Sequence, residues 1–226
     1  MTIVLRPNDF FAEAAEWIAG RLVAAQQRDG WARLSLCGGT TPAPIYAQLA
    51  TRSDINWQQV IITFGDERCV GPDDEQSNYR MARLSLLESA GIPENNVIRI
   101  EGELAPSDAA KRCEDRLLGL AKSAGDAWFR HDLILLGMGD DGHTASLFPD
   151  TTGLSVTDHW VVANYVPKFE AHRITFTYPL LAVARDILFL VNGAGKHAMV
   201  DQVLAGDPNL PASAVRADSV TWMVGG

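Results

Sequence analysis

The sequence predicts an α/β fold built on a mainly parallel sheet with helices on both faces. Three observations predict it. Short apolar runs at residues 60–64, 133–136 and 187–191 read as strands buried on both sides. These runs alternate with segments of helical periodicity. Several of them stop at glycines followed by carboxylates or cations, the composition expected at the carboxyl edge of an open sheet. The 226 residues suit one domain, residues 1–226, large enough to bury a full core.

Taken in order, the chain opens with a helix that Asn8 or Asp9 can cap. Phe11, Ala15, Ile18, Leu22 and Ala25 recur at helical spacing before Asp29-Gly30 ends it. Ala32 to Cys37 reads as a strand running into Gly38-Gly39-Thr40-Thr41. Thr41 with Pro42 makes a cap and first-turn pair for a helix to about Ala50. Val60 to Phe64 is a strand ending in Gly65-Asp66-Glu67-Arg68. Asn78 opens a helix carrying Met81, Leu84, Leu87 and Ala90, and Val97 to Ile100 is expected as a short strand.

Ser107 is expected to cap a helix to about Ala121, with Ala110, Cys113 and Leu117 on one stripe. The strand 133–136 stops at Gly137, and Thr144 can cap a helical turn beginning there. Trp160 to Ala163 and Arg173 to Thr177 look like strands, and Pro179 starts a helix to about Ala184. Ile187 to Val191 leads into Asn192-Gly-Ala-Gly-Lys196 and a helix to Ala205. Val220 to Val224 is the last strand.

Composition narrows the class of function. A hydrophobic content of 47% with 21% charged residues is ordinary for a soluble protein. The net charge of −9 argues against a nucleic-acid or anionic-membrane surface, yet a few local cations can still hold a small anion. Cys37, Cys69 and Cys113 are odd in number and lack C-x-x-C spacing, so no disulfide framework and a reduced, cytoplasmic setting are expected. No secretory signal is visible at the N-terminus, and no apolar run approaches the roughly 20 residues that span a bilayer.

Four loops after strands carry the chemistry. Gly38-Gly39-Thr40-Thr41 precedes a helix start, where free amides, two hydroxyls and the helix dipole suit a phosphate; a plain strand-to-helix turn has the same composition. Arg68 can clamp a phosphate or carboxylate with two parallel bonds, or pair structurally with Asp66 or Glu67, the role favoured for Glu67. Lys196, near a helix start, opposes the dipole and so either serves a ligand or is solvated.

The loop Gly137-Met-Gly-Asp-Asp-Gly-His143 holds three glycines, two acids and a histidine, with Asp140 read as a turn residue. A helix N-terminus would keep His143 neutral and able to accept a proton, with Asp141 orienting its ring. His131, His159, His172 and His197 read as surface or loop residues. No His and Cys set has the spacing of a zinc site.

The motifs Cys37-Gly-Gly-Thr-Thr-Pro42, Gly65-Asp-Glu-Arg68 with Ser77-Asn78, and Leu136-Gly-Met-Gly-Asp-Asp-Gly-His-Thr-Ala-Ser-Leu-Phe-Pro149 stand in order along the chain. Arg173-Ile-Thr, Leu190-Val-Asn-Gly-Ala-Gly-Lys196 and Leu210-Pro-Ala212 follow. Together they make this sequence resemble the 6-phosphogluconolactonases from about residue 37 to 212. The resemblance implies a three-layer α/β/α sandwich with a mainly parallel Rossmann-like sheet, shared with glucosamine-6-phosphate deaminases and ribose-5-phosphate isomerases. It implies hydrolysis of 6-phospho-D-glucono-1,5-lactone to 6-phospho-D-gluconate in the oxidative pentose phosphate pathway, with no metal or organic cofactor.

By the same resemblance, Gly38, Gly39, Thr40, Thr41, Arg68 and Lys196 would hold the phosphate or sugar-acid oxygens. Asp66, Asn78 and Arg173 would line the pocket, and His143, aligned by Asp141, would activate water. The implied partner is a small phosphorylated sugar lactone, with no nucleic acid or membrane, for a monomer or weak dimer.

The chain departs from the family pattern in three places. Pro167-Lys-Phe-Glu-Ala-His-Arg173 lacks a second proline, leaving the role of Lys168 open; Gly71-Pro72 stands where Val-Pro is common; and the chain stops at Gly226. Two alternatives remain: a glucosamine-6-phosphate deaminase, which typically carries Gly-His-Ile-Ala-Phe-Asn-Glu-Pro where this chain has Gly-His-Thr-Ala-Ser-Leu-Phe-Pro, and a non-catalytic sugar-phosphate sensor.

Overall fold

The computed structural model describes residues 1–226. Six parallel strands form the central sheet: β1 (Thr2–Leu5), β2 (Ala32–Leu36), β3 (Val60–Phe64), β5 (Leu133–Leu136), β8 (Asp186–Asn192) and β9 (Ser219–Gly225). Their order is β1-β9-β8-β5-β2-β3. A separate antiparallel sheet, in the order β4-β7-β6, comprises β4 (Asp66–Arg68), β6 (Val161–Val166) and β7 (Ala171–Phe176). The helices flanking these sheets are α1 (Phe10–Asp29), α2 (Pro42–Ala50), α3 (Asn78–Ala82), α4 (Pro106–Ser123), α5 (Tyr178–Ala182) and α6 (His197–Leu204). No helix is long and apolar enough to cross a membrane.

Burial explains why the predicted strands formed. All four residues of β5 are buried, as are the five central residues of β8, because helices cover both faces of the sheet. Phe189 of β8 stacks on Trp222 of β9 with centroids 3.8 Å apart, inside one core cluster of 58 residues. Asp9 caps α1 through Ala12 N–H, and Gly30 closes it at φ 75°.

The topology explains where a ligand would sit. From β2 the chain continues to β3 on one side, then returns to β5 on the other and progresses outward to β8 and β9. The strand order therefore reverses between β2 and β5, and the crevice beyond their carboxyl ends is the topological switch point. Leu34 pairs with Leu133 and Ser35 with Ile134, so the loops after β2 and β5 leave the sheet side by side.

Several expectations are corrected. Thr2–Leu5 is a strand that the pattern did not announce; it is a four-residue edge strand, half exposed, and only β9 pairs with it. Residues 97–100 form no strand. Ile98 and Ile100 are buried, which produces the alternation, but the ladder consists of one bridge from Ile62 to Val97. Helix α3 passes into a π turn at Arg83–Leu87, which leaves Leu84 53% exposed rather than in the core.

Pro106, not Ser107, begins α4, with Ala105 at the cap position, because proline is preorganised for a first turn. Thr41 precedes α2 without a side-chain capping bond. No helix begins at Thr144. Its hydroxyl donates to Gly137 C=O at 2.8 Å and closes the loop instead.

Candidate active site

The loop after β5 is held by its own backbone. Gly139 N–H donates to His143 C=O at 2.9 Å, and Gly142 N–H to Gly139 C=O at 3.1 Å. Gly142 sits at φ 72°, where a side chain would be strained. Gly139 is needed for a different reason: a Cβ there would lie 2.1 Å from Cε1 and Nδ1 of His143. The imidazole packs against a backbone that only glycine leaves open.

His143 is fixed from three sides. Its Nδ1 lies 2.5 Å from Asp141 Oδ1, so the ring is read with Nδ1–H donating to the carboxylate. Phe148 stacks on the ring at 3.9 Å and 22°, and the Gly139 backbone closes the remaining approach. Nε2 makes no hydrogen bond to the protein. Burial opposes the charged form of Asp141, but hydrogen bonds from His143 and Lys168 outweigh it and hold the carboxyl well below the usual range. A carboxylate held in its ionised form behind an imidazole whose Nε2 is free of protein partners suits a general base and its orienter.

His143 lines a cavity of about 280 Å³ at the switch point. The loop Gly38–Thr41 forms one wall. None of its four amides donates within the protein, and helix α2 follows directly, so unpaired N–H groups and the positive helix end lie beside the same cavity. The turn is anchored by Tyr46 of α2, whose buried hydroxyl accepts from Cys37 N–H at 3.0 Å and donates to Cys37 C=O at 2.9 Å. Gly38 makes room for Asn78: a Cβ there would lie 1.8 Å from Asn78 Oδ1.

Asp66, Arg68 and Asn78 form the opposite wall. Asn78 Nδ2 donates to Asp66 Oδ1 at 3.1 Å and to Asp66 C=O at 2.9 Å, while Ser146 Oγ donates to Asp66 Oδ2 at 2.6 Å. This network joins the Asp66 strand to the His143 loop. Arg68 donates to Gln76 C=O, and its register partner across the antiparallel pair is Arg173. Burial and the neighbouring Arg68 charge both lower the pKa of the Arg173 guanidinium. Two guanidinium groups side by side, neither in an ion pair, suit an anion.

Lys196 completes the ring of cations. Its Nζ donates to Met138 C=O at 2.6 Å and lies 3.4 Å from Asp140 Oδ1. Asp140 is otherwise exposed, as suits a turn residue. Of the expected residues, Arg173 and Asp141 stand behind the cavity wall rather than on it.

Glu67 is structural, but not through an ion pair with Arg68. It accepts the backbone N–H groups of Arg68, Asn78 and Tyr79 at 2.7–2.8 Å and the Ser77 hydroxyl at 3.0 Å. Burial raises its pKa even though those amides favour its charged form. His131 is also corrected. It is fully buried, with Nε2 2.9 Å from Thr63 Oγ1, and burial lowers its pKa to about 3.

Three contributors went unrecognised in the sequence: Phe148 and Ser146, quoted there only as a family mark, and Lys168, whose Nζ lies 2.9 Å from Asp141 Oδ2. A larger cleft of about 1010 Å³ opens at the amino ends of the strands, between Trp31, Trp128 and Arg33. Its arginines are already paired, Arg33 with Asp126, Arg130 with Asp218 and Arg185 with Asp132. It offers no base beside an open anion cradle, so chemistry rather than size selects the smaller cavity.

Comparison with known proteins identifies the family. The model of the family described as glucosamine-6-phosphate isomerases/6-phosphogluconolactonase matches residues 6–223. A 6-phosphogluconolactonase of Synechocystis is 39% identical over 204 residues, 90% of this chain and 84% of that protein. One from Nostoc is 37% identical over 207 residues, 90% of this chain and 85% of its own length. The crystal structure of a 6-phosphogluconolactonase from Thermotoga maritima superposes with a TM-score of 0.89 over 100% of both chains at 30% identity. The chain belongs to the glucosamine-6-phosphate isomerase/6-phosphogluconolactonase family.

Proposed function

We propose that this protein is a 6-phosphogluconolactonase, a hydrolase that converts 6-phospho-D-glucono-1,5-lactone and water to 6-phospho-D-gluconate in the oxidative pentose phosphate pathway. The observation that carries the reading is the 2.5 Å His143–Asp141 pair, with His143 on the wall of a cavity that the Gly38–Thr41 amides, Arg68 and Lys196 also line. Relatives named 6-phosphogluconolactonase at 39% and 37% identity support the same activity.

The substrate's phosphate would lie against the Gly38–Thr41 amides and the cations, with Arg173 adding charge from behind Arg68. Asp66 and Asn78 would face the sugar-acid hydroxyls. His143 Nε2 takes a proton from water as it attacks the lactone carbonyl, and Asp141 stabilises the imidazolium that develops. The tetrahedral intermediate then collapses with cleavage of the ring C–O bond, and the same proton returns to the departing oxygen. A lactone is an activated ester, so one positioned base contributing about 10²–10⁴-fold is sufficient chemistry.

The deaminase alternative is not favoured. Leu147 and Phe148 stand where that group carries Asn-Glu, and Ser146 where it carries Phe; Phe148 is engaged by the imidazole and Ser146 by Asp66. The test is hydrolysis of 6-phosphogluconolactone above its spontaneous background. His143→Ala should lower kcat by about 10²–10⁴-fold while 6-phosphogluconate still binds. Undiminished turnover in that variant would remove His143 as the base, and no acceleration by the parent protein would remove the function.

A further inference from the structure

The turn between β6 and β7 reaches the base from outside its own loop. Pro167–Phe169 is a single 3₁₀ turn closed by Glu170 at φ 49°, with Glu170 N–H donating to Pro167 C=O at 3.1 Å. That closure presents two consecutive side chains to the catalytic pair. Lys168 Nζ lies 2.9 Å from Asp141 Oδ2, while Asp141 Oδ1 serves His143. Phe169 packs edge-on against Phe148 at 5.6 Å, and Phe148 is the ring stacked on His143. Arg173 lies over the Phe169 ring at 5.2 Å and backs it from β7.

We propose that Lys168 is a positioning residue for the base: by taking Oδ2 of Asp141 it fixes the carboxylate's orientation and offsets the negative charge felt by His143. The inference rests on His143 acting as the base. An unshared carboxylate would favour imidazolium more strongly, so proton loss back to the leaving oxygen would be harder and the base would be protonated at higher pH. Sharing the carboxylate with an ammonium lessens the negative charge that Asp141 presents to the ring.

The other charges around His143 are named for the same account. Asp140 is on its own loop, Lys196 reaches that loop from the turn before α6, and Asp66 and Arg68 face the cavity from β4. Arg173 stands behind Phe169 on β7, and Glu170 is at the end of the turn itself. Among these only Lys168 bonds the carboxylate that bonds the ring. At 58% exposure its side chain acts through a screened field, which sets a modest expected effect.

The test is the pH profile of kcat/KM for the parent, Lys168→Met, Lys168→Arg and His143→Ala. The substrate phosphate titrates identically in all four, so differences between profiles belong to the enzyme. Lys168→Met should move the acid limb to higher pH by about 0.5–1 unit. Lys168→Arg, which keeps the charge, should hold the limb in place. An unmoved limb in Lys168→Met, with His143→Ala inactive, overturns the role of Lys168 and leaves the base intact. A loss carried by KM with the limb unmoved also overturns it and makes Lys168 a substrate ligand. Full turnover by His143→Ala would instead remove the base reading on which the inference rests.

Discussion

Gly139→Ala tests the geometry of the proposed base, His143, without deleting any functional group. The added Cβ would lie 2.1 Å from both Cε1 and Nδ1 of His143 and 2.9 Å from Asp141 Oδ1, where ordinary contact begins at 3.4 Å. The imidazole must therefore retreat by about 1.3 Å, the difference between those distances. Gly139 is outside the left-handed region, so alanine introduces no left-handed backbone strain and the perturbation falls on the His143–Asp141 pair. Phe148 stacked at 3.9 Å limits where the ring can go, and the 2.5 Å bond to Asp141 is lost in the movement. A misplacement of that size at a reacting atom costs about 10²-fold in kcat. Steady-state hydrolysis of 6-phosphogluconolactone measures kcat, calorimetry with 6-phosphogluconate checks binding, and chemical denaturation should register an overpacking loss of about 1–3 kcal/mol. A kcat within about threefold of the parent in folded protein would refute the claim that this contact positions the base.

Two further outcomes follow from the same structure. Gly38→Ala places a Cβ 1.8 Å from Asn78 Oδ1, so the Asn78 amide should leave Asp66; denaturation should record a loss of about 1–3 kcal/mol, and KM should rise more than kcat falls. Unchanged KM and stability would show that the Asn78 amide is not held there. His131, with its pKa lowered to about 3 by burial and the Arg33 charge, is protonated in the unfolded chain below its ordinary 6.5 but stays neutral when folded. The unfolded state thus binds more protons between about pH 6.5 and 3, and stability falls on acidification through that window by up to about 1.4 kcal/mol per pH unit. The double variant Thr63→Val/His131→Phe, which removes both hydrogen-bond partners together, should have a flatter denaturation profile over that range; an equal slope would assign the loss to other groups.

Much of the fold was legible because buried parallel strands must be apolar along their whole length. β3, β5 and β8 announced themselves, and glycines marked where each stopped. The antiparallel sheet was harder to place. β6 and β7 were visible as strands, but β4 is three residues long, and its pairing with β7 depends on contacts about a hundred positions apart. β1 escaped because an exposed edge strand imposes no burial pattern on its sequence. Residues 97–100 misled for the opposite reason, burying alternate isoleucines without extending a ladder.

The candidate site divides the same way. Local spacing supplies the available groups: the glycine-rich turn Gly38–Thr41 before a helix, the cations Arg68, Arg173 and Lys196, and His143 two residues from Asp141. These depend on local spacing and on turns that neighbouring residues specify. Which of them meet is a matter of tertiary packing. It set Arg68 beside Arg173, tied Asp66 to Ser146 across 80 positions, and withdrew His131 into the core beside Thr63. It also turned Lys168 onto Asp141 and Phe148 onto the imidazole. The physical reason is that strand order and register bring these loops together at the switch point, and that order is settled by packing over the whole sheet rather than by any single stretch.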